Sequence, residues 1–285
     1  MLKESRLQKN LKLFLNCKDH TVSGELYRVM KNQEYDFLVT SPVPSDLAKY
    51  YQSEDYISHT DAKKSLFDNV YQIVKRHTLK KKVALLNSFL PEQKTVLDIG
   101  AGTGDFLHAC KKDNWKVVGV EPSIKAREIA ESKNVLLEKE LSFFKGQKFD
   151  VITLWHVLEH VENLEAYTQS LQELLKENGT LLIAVPNYKS FDASHYGSFW
   201  AAFDVPRHVW HFSQTSIQKI FALVSLKVVQ TIPMKFDAYY VSLLSEKYKN
   251  GKMNILKSFW IGFQSNIKAK RSSEYSSLIY VLKNN

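Results

Sequence analysis

Cysteine is almost missing from this chain, with Cys17 and Cys110 its two examples in 285 residues. Two thiols make no disulfide framework and fit a reducing compartment, so a cytoplasmic location is expected. Long apolar runs are missing too. No stretch approaches the roughly 18 consecutive apolar residues of a membrane-spanning helix, although 44% of the residues are hydrophobic. Met1 to Arg6 lead into no apolar run, and no secretory leader is expected. Internal repeats and low-complexity tracts do not occur. A concentrated basic stripe, the footprint of a nucleic-acid binder, is also lacking.

What charge there is lies unevenly. Residues 1–90 carry 15 basic and 10 acidic side chains, residues 91–188 carry 11 and 15, and residues 189–285 carry 13 and 5. The two basic flanks could draw a phosphorylated substrate, an anionic lipid surface or nucleic acid, or simply solubilise the fold. Two true clusters stand out, Lys80-Lys81-Lys82 and Lys268-Ala269-Lys270-Arg271, both reading as exposed faces near helix ends.

Residues 11–15, 25–30 and 35–40 alternate between apolar and polar and predict a small β-meander. Ser41-Pro42-Val43-Pro44 ends it, and Ser45 can cap a short helix reaching Tyr51. A long helical pattern then runs from about 62 to 90. From Thr95 the chain alternates, with strands predicted at 95–99, 116–120, 134–137, 149–155, 179–185, 226–232 and 276–283. Helices fall near 104–113, 123–132, 161–176 and 214–225, with two more between 237 and 272. This order predicts an α/β, doubly wound, mostly parallel seven-stranded sheet whose last strand is antiparallel, beside a small N-terminal β-rich module.

The most informative run is Val96-Leu97-Asp98-Ile99-Gly100-Ala101-Gly102-Thr103-Gly104-Asp105. A strand that ends in G-x-G-x-G exposes backbone N–H groups and lets a ligand lie against the main chain. A nucleoside-bearing cofactor suits that turn. Glu121 ends the next strand, 21 residues after Gly100, where two carboxylate oxygens can accept both hydroxyls of a ribose. Phe149 to Val161 supplies a further strand and turn, and Asn178 to Asn187 another.

With these four elements in order, residues 62–285 resemble the class I S-adenosylmethionine-dependent methyltransferases, in the branch acting on quinones, sugars and other small molecules. The resemblance implies S-adenosylmethionine as cofactor, held by Asp98, Gly100, Ala101, Gly102, Thr103, Gly104, Glu121, Pro122, Trp155 and His156. It divides the chain into a cap module, 1–58, and a methyltransferase domain, 59–285. A nicotinamide dinucleotide fold is the rival, but its third glycine is Asp105 here, and a carboxylate there would repel a pyrophosphate. The acids at 98, 105 and 121 suit a cationic sulfonium better.

His156-Val157-Leu158-Glu159-His160 also reads H-x-x-E-H, a zinc-peptidase pattern. Following directly on a strand, it is taken as a chance match, with His160 structural. His156 is the first candidate general base. The aromatic segment Tyr196 to Phe212 resembles the D-x-P-R-H-x-x-x-F stretch of the quinone and sugar branch. It implies Trp200 as an aromatic wall, with Asp204, Arg207 and His208 facing substrate and His208 as a second catalytic candidate. A mutual Asp204–Arg207 pair that merely fixes the loop is the plain alternative. Some sugar methyltransferases carry a zinc-binding segment ahead of this domain. Cys17 and His20 alone do not make such a set, and no metal is expected. Tyr50 to His59 could cover the cofactor or serve as a packed linker.

The expected activity is methyl transfer to a hydroxyl or carbon of a sugar, quinone-like or lipid-linked acceptor. RNA or protein methylation and non-catalytic S-adenosylmethionine binding are the alternatives. Small molecules are the expected partners, nucleic acid is not, and no oligomeric state is assigned.

Overall fold

A computed structural model describes residues 7, 9–51, 66–91 and 93–285, with residues 66–73 as backbone only. The chain forms two compact units that interleave in sequence. One comprises residues 1–53, 156–168 and 184–281, and the other 54–155, 169–183 and 282–285.

In the first unit, β1 (Leu11–Lys18), β2 (Leu26–Asn32) and β3 (Leu38–Ser41) form the expected antiparallel meander, each strand a little longer or later than its pattern. A bulge between Leu13 and Leu15 breaks the β1–β2 register. β3 then pairs antiparallel with β9 (Trp210–His211), matching Leu38 to His211 and Val39 to Trp210. The helix expected after Ser45 is a single 3-10 turn, Ala48–Tyr51. Residues 52–59, offered as a cover or linker, lie outside the described residues.

The central sheet has seven strands in the order β10-β11-β8-β7-β4-β5-β6 and is mostly parallel, as the pattern predicts, the end strand β6 pairing parallel with β5. These strands are β4 (Thr95–Ile99), β5 (Lys116–Val120), β6 (Leu137–Glu138), β7 (Phe149–Trp155), β8 (Leu175–Pro186), β10 (Leu226–Pro233) and β11 (Ser277–Asn284). β4 lies between β5 and β7, parallel to both. Val96, Leu97, Val151 and Ile152 are fully buried, which is why these strands read as continuous apolar runs rather than alternating ones.

Helices α1 (Leu66–Asn87), α2 (Asp105–Lys112), α3 (Ile124–Glu131) and α4 (Leu164–Glu173) fall within the predicted segments. So do α6 (Gln214–Ala222), α7 (Asp237–Asn250) and α8 (Ile255–Ser272), while the short α5 (Phe191–Tyr196) had no pattern of its own. Start signals are local. Ser123 caps α3, Ser213 and Ser216 form a reciprocal capping box at α6, and the Asn254 side chain accepts the Lys257 N–H at 3.0 Å to open α8. Two helices on the β10–β11 connection lengthen what could have been a hairpin turn.

Candidate active site

The glycine turn after β4 is built as its residues require. Gly100, Gly102 and Gly104 have φ of 70°, 52° and 74°, the left-handed region that glycine enters without cost. Gly104 has no room for a side chain: a Cβ there would stand 2.8 Å from the Ala130 Cβ. The Gly100 and Ala101 N–H groups bond the Val120 carbonyl at 2.8 and 2.9 Å, tying the turn to the end of β5. The Gly102 N–H donates to Glu121 Oε2 and the Ser123 N–H to Oε1, each at 2.9 Å. A carboxylate oxygen accepts more than one hydrogen bond, so Glu121 is held in place with capacity left for two hydroxyls. Arg127 braces the same turn by donating to the carbonyls of Glu121 and Pro122 at 2.6 and 2.8 Å, and Pro122 itself is exposed.

Asp98 is buried at the end of β4, where the Thr153 hydroxyl donates to its Oδ1 at 2.5 Å. Burial pushes its carboxyl up to about 7, against the Thr153 bond and the charge of Lys82, with Glu121 adding to the rise. Asp105 behaves otherwise. Lys75 and Lys133 each reach it at 2.6 Å, so its charge is already balanced and does not serve the cationic ligand for which the sequence counted it. Trp155, at the end of β7, stands edge-on to Phe106 with centroids 5.6 Å apart, and the Lys82 ammonium lies 3.9 Å from its ring centre. All these residues belong to the second unit.

His156 is the next residue, at φ 58°. Its N–H bonds the Ala184 carbonyl at 2.9 Å, its Nδ1 lies 3.3 Å from Glu159 Oε1, and its Nε2 lies 3.2 Å from Asp237 Oδ2. Burial alone would lower this histidine, but the two carboxylates overcome it and hold the ring protonated up to about 10. An imidazolium with both N–H groups donating has no lone pair with which to take a proton. With a carboxylate at each ring nitrogen, this geometry favours a protonated His156 over the general base the sequence suggested. Glu159 is buried; desolvation would raise it, but the His156 bond and the neighbouring histidines hold it down at about 2.

In the first unit the aromatic segment is more structural than its pattern implied. Trp200 is 2% exposed, and its Nε1 donates to Asp192 Oδ2 at 2.8 Å. It is a core residue, not an exposed aromatic wall. Arg207 grips Asp204 through two bonds, Nε to Oδ2 at 3.1 Å and Nη2 to Oδ1 at 2.5 Å, and also donates to Thr21 and to the Tyr50 carbonyl. The plain alternative, a pair that fixes the loop, describes this geometry. His208 differs. Its Nδ1 lies 2.8 Å from the Ala202 carbonyl, which only accepts, so a neutral ring carries its proton on Nδ1, and its Nε2 lies 3.8 Å from Asp204 Oδ2.

Glu159, His160 and His208 come together, with one potential ligand atom from each within 4.8 Å of the others. His160 Nδ1 lies 3.1 Å from the Arg207 carbonyl, and its ring meets His208 edge-on at 4.6 Å. His156 of the H-x-x-E-H pattern is not in this group. Cys17 donates to the Ser198 carbonyl at 3.2 Å, and burial pushes its thiol up to about 12, far from a metal-binding thiolate. A concavity of about 520 Å³ in the first unit, lined by Phe14, Tyr188, Phe203 and Glu274 among others, includes none of the predicted site residues.

Sequence reasoning missed Lys82, Asp237 and the pairing role of Glu159. Asp237 carries only the ordinary signal of an acid in a helix's first turn. Glu159 was in view within H-x-x-E-H, but was weighed as a zincin residue.

Known proteins resemble this chain. The ubiquinone biosynthesis O-methyltransferase of Histophilus somni is 31% identical over 110 residues, covering 33% of this chain and 46% of that protein. Its counterpart in Rhodopseudomonas palustris is 28% identical over 153 residues, covering 48% and 58%. The chain thus matches about half the length of these curated relatives. Among solved structures, magnesium protoporphyrin IX methyltransferase from Synechocystis, with bound SAH, superposes with a TM-score of 0.55 at 16% identity, covering 83% of this chain and 97% of that one. The methyltransferase domain family matches residues 57–231, more than half of the sequence, and the chain belongs to that family.

Proposed function

We propose that this protein transfers a methyl group from S-adenosylmethionine to a hydroxyl or carbon of a small-molecule acceptor of the quinone, sugar or lipid-precursor class. The observation that carries the donor assignment is Glu121, held by the Gly102 and Ser123 N–H groups with acceptor capacity to spare, beside the buried Asp98 carboxylate. When bound, S-adenosylmethionine supplies an activated methyl group on a cationic sulfonium.

Each residue then has a defined task. Glu121 accepts the ribose hydroxyls, and the glycine turn lets the main chain approach the ligand. Asp98, neutral or charged near pH 7, favours a cation beside it once ionised. His208 would take up the proton of an acceptor hydroxyl at Nε2, its Nδ1 staying on the Ala202 carbonyl. His156 is a fixed positive charge following Trp155, suited to orienting an acceptor oxygen through the electrostatic field it sets up. Alignment supplies most of the acceleration in such a displacement, since the leaving group needs no activation.

The ubiquinone biosynthesis O-methyltransferases among the relatives favour a small acceptor methylated on oxygen. Calorimetry with S-adenosylhomocysteine, S-adenosylmethionine and NAD tests the donor half, and a radiolabelled-methyl assay over catechols, quinols, sugars and RNA tests the acceptor half. Saturable binding of the first two ligands and labelling of a small phenol or sugar are expected. Binding of NAD instead, or labelling of RNA alone, would overturn the reading.

A further inference from the structure

Helix α8 is built inside out. The residues it turns inward are mostly small, Ser258, Gly262, Ser265 and Ala269, with Ile261 among them. Gly262 permits the close approach to α7, because a Cβ there would meet the Tyr239 ring at 2.8 Å and its Cα at 2.9 Å. The large apolar residues face outward. Leu256 is 86% exposed, Trp260 56%, Phe263 41% and Ile267 44%. Their spacing of four, three and four places them on one stripe of the helix, opposite the small-residue face. Ile255 and Phe259 widen it at the N-terminal end, at 52% and 62% exposure. A monomeric protein rarely leaves so contiguous an apolar face to water.

Charge identifies what covers it. α8 carries Lys257, Lys268, Lys270 and Arg271 and no acidic residue, and residues 189–285 carry 13 basic against 5 acidic side chains. Lys270 and Arg271 are exposed and close the stripe at its C-terminal end. Packing α8 against a second copy of itself would set only like charges together, whereas an anionic surface complements them. No helix among the described residues is long and apolar enough to cross a membrane, so the helix would lie along the bilayer rather than through it. Tryptophan and phenylalanine beside lysine and arginine is the composition of an interfacial helix.

We propose that the outer face of α8 docks on a bilayer containing anionic phospholipid, with Leu256, Trp260, Phe263 and Ile267 entering the headgroup boundary and Lys270 and Arg271 meeting the phosphates. This surface holds none of the donor- or acceptor-side residues, so its test stands apart from the methyl-transfer reading.

Flotation of the whole protein with vesicles of phosphatidylcholine and about 30 mol % phosphatidylglycerol, in about 0.1 M salt, should carry it into the lipid fraction. Pure phosphatidylcholine vesicles should bind it about tenfold less. Leu256→Glu/Phe263→Glu/Ile267→Glu should lose about 100-fold in binding, with melting temperature and S-adenosylhomocysteine affinity unchanged. Lys270→Glu/Arg271→Glu, whose side chains are exposed, should lose the preference for phosphatidylglycerol. On binding, the wild type should show a blue-shifted tryptophan emission that Trp260→Phe lacks, a readout that does not depend on how the triple variant folds. Three results would each overturn the proposal: no flotation with anionic vesicles, flotation undiminished in both the triple and the Lys270→Glu/Arg271→Glu variants, or a sedimentation dimer that the triple variant splits while lipid binding is absent. The last would make the stripe a self-association face.

Discussion

Asp237, in the first turn of α7, approaches the Nε2 of His156 at 3.2 Å while Glu159 approaches its Nδ1, so one imidazole is spanned by two carboxylates. The ring is thereby held charged, and its raised pKa fixes the sign of a stability effect. A histidine at about 10 in the folded protein against about 6.5 unfolded contributes stability that is complete below the unfolded value. That contribution fades as pH rises through the folded one. Asp237→Asn should therefore lower the melting temperature at pH 6 and 7, with the deficit shrinking above pH 9. Melting curves of both proteins from pH 5 to 10 provide the check, and a deficit independent of pH would show that Asp237 acts through packing alone.

Asp98 presents the opposite case. Its carboxyl is raised to about 7 by burial, so between about 4 and 7 the folded chain binds a proton that the unfolded chain releases, and stability falls as pH rises across that window. Asp98→Asn keeps an oxygen to accept the Thr153 hydroxyl and removes the buried charge. The variant should melt at or above the wild-type temperature at pH 8, with the gap closing toward pH 4. Its affinity for S-adenosylmethionine should nevertheless drop by at least about tenfold, a loss of about 1.4 kcal/mol. Wild-type affinity should itself weaken below pH 7, as Asp98 takes up its proton. Calorimetry at pH 6 and 8, paired with melting curves, separates binding from stability.

The donor half was legible in the sequence because its chemistry is local. A turn of three glycines and an acid at the end of the next strand must fall where the backbone puts them, and Gly102 and Glu121 meet as their spacing predicts. The acceptor side was less legible. Trp200 and Arg207 carry the residue types of a binding wall, yet their burial and pairing are decided by partners that no pattern connects to them: Asp192, eight residues back, for one, and the distant Thr21 and Tyr50 for the other. Asp237 lies 81 positions beyond His156, and no periodicity connects them. Helix positions were readable from apolar spacing, but α8 shows the limit of that signal. Its stripe looks like a core-facing pattern and turns out to be the exposed side.

Gly104 tests how tightly the donor turn is set. Its φ of 74° and the 2.8 Å approach of Ala130 to any added Cβ each oppose a side chain. Gly104→Ala should cost about 2–4 kcal/mol of stability, the sum of strained backbone and overpacking. Gly102→Ala meets no neighbouring atom within 4 Å and carries only the strain of a positive φ, so about 1 kcal/mol is expected there. Denaturant midpoints should rank the wild type first, Gly102→Ala second and Gly104→Ala last. Equal losses would show that φ alone, and not contact with α3, sets the requirement.

Arg207 separates a loop-fixing role from a substrate-facing one. The guanidinium is 8% exposed and grips Asp204 through two bonds while also reaching Thr21. A lysine ammonium can replace the charge but not the planar fork. Arg207→Lys should therefore destabilise the protein by about 2–4 kcal/mol, and Asp204→Asn by a similar amount, because each leaves a buried charge poorly paired. The double variant should lose less than the sum of the two, since the second change removes the partner left stranded by the first. Folded Arg207→Lys protein, assayed well below its melting temperature, should keep KM for the acceptor within about twofold, a difference under about 0.5 kcal/mol. A large rise in KM with an unchanged melting temperature is the contrary result, and it would return Arg207 to the substrate-binding role that its segment first suggested.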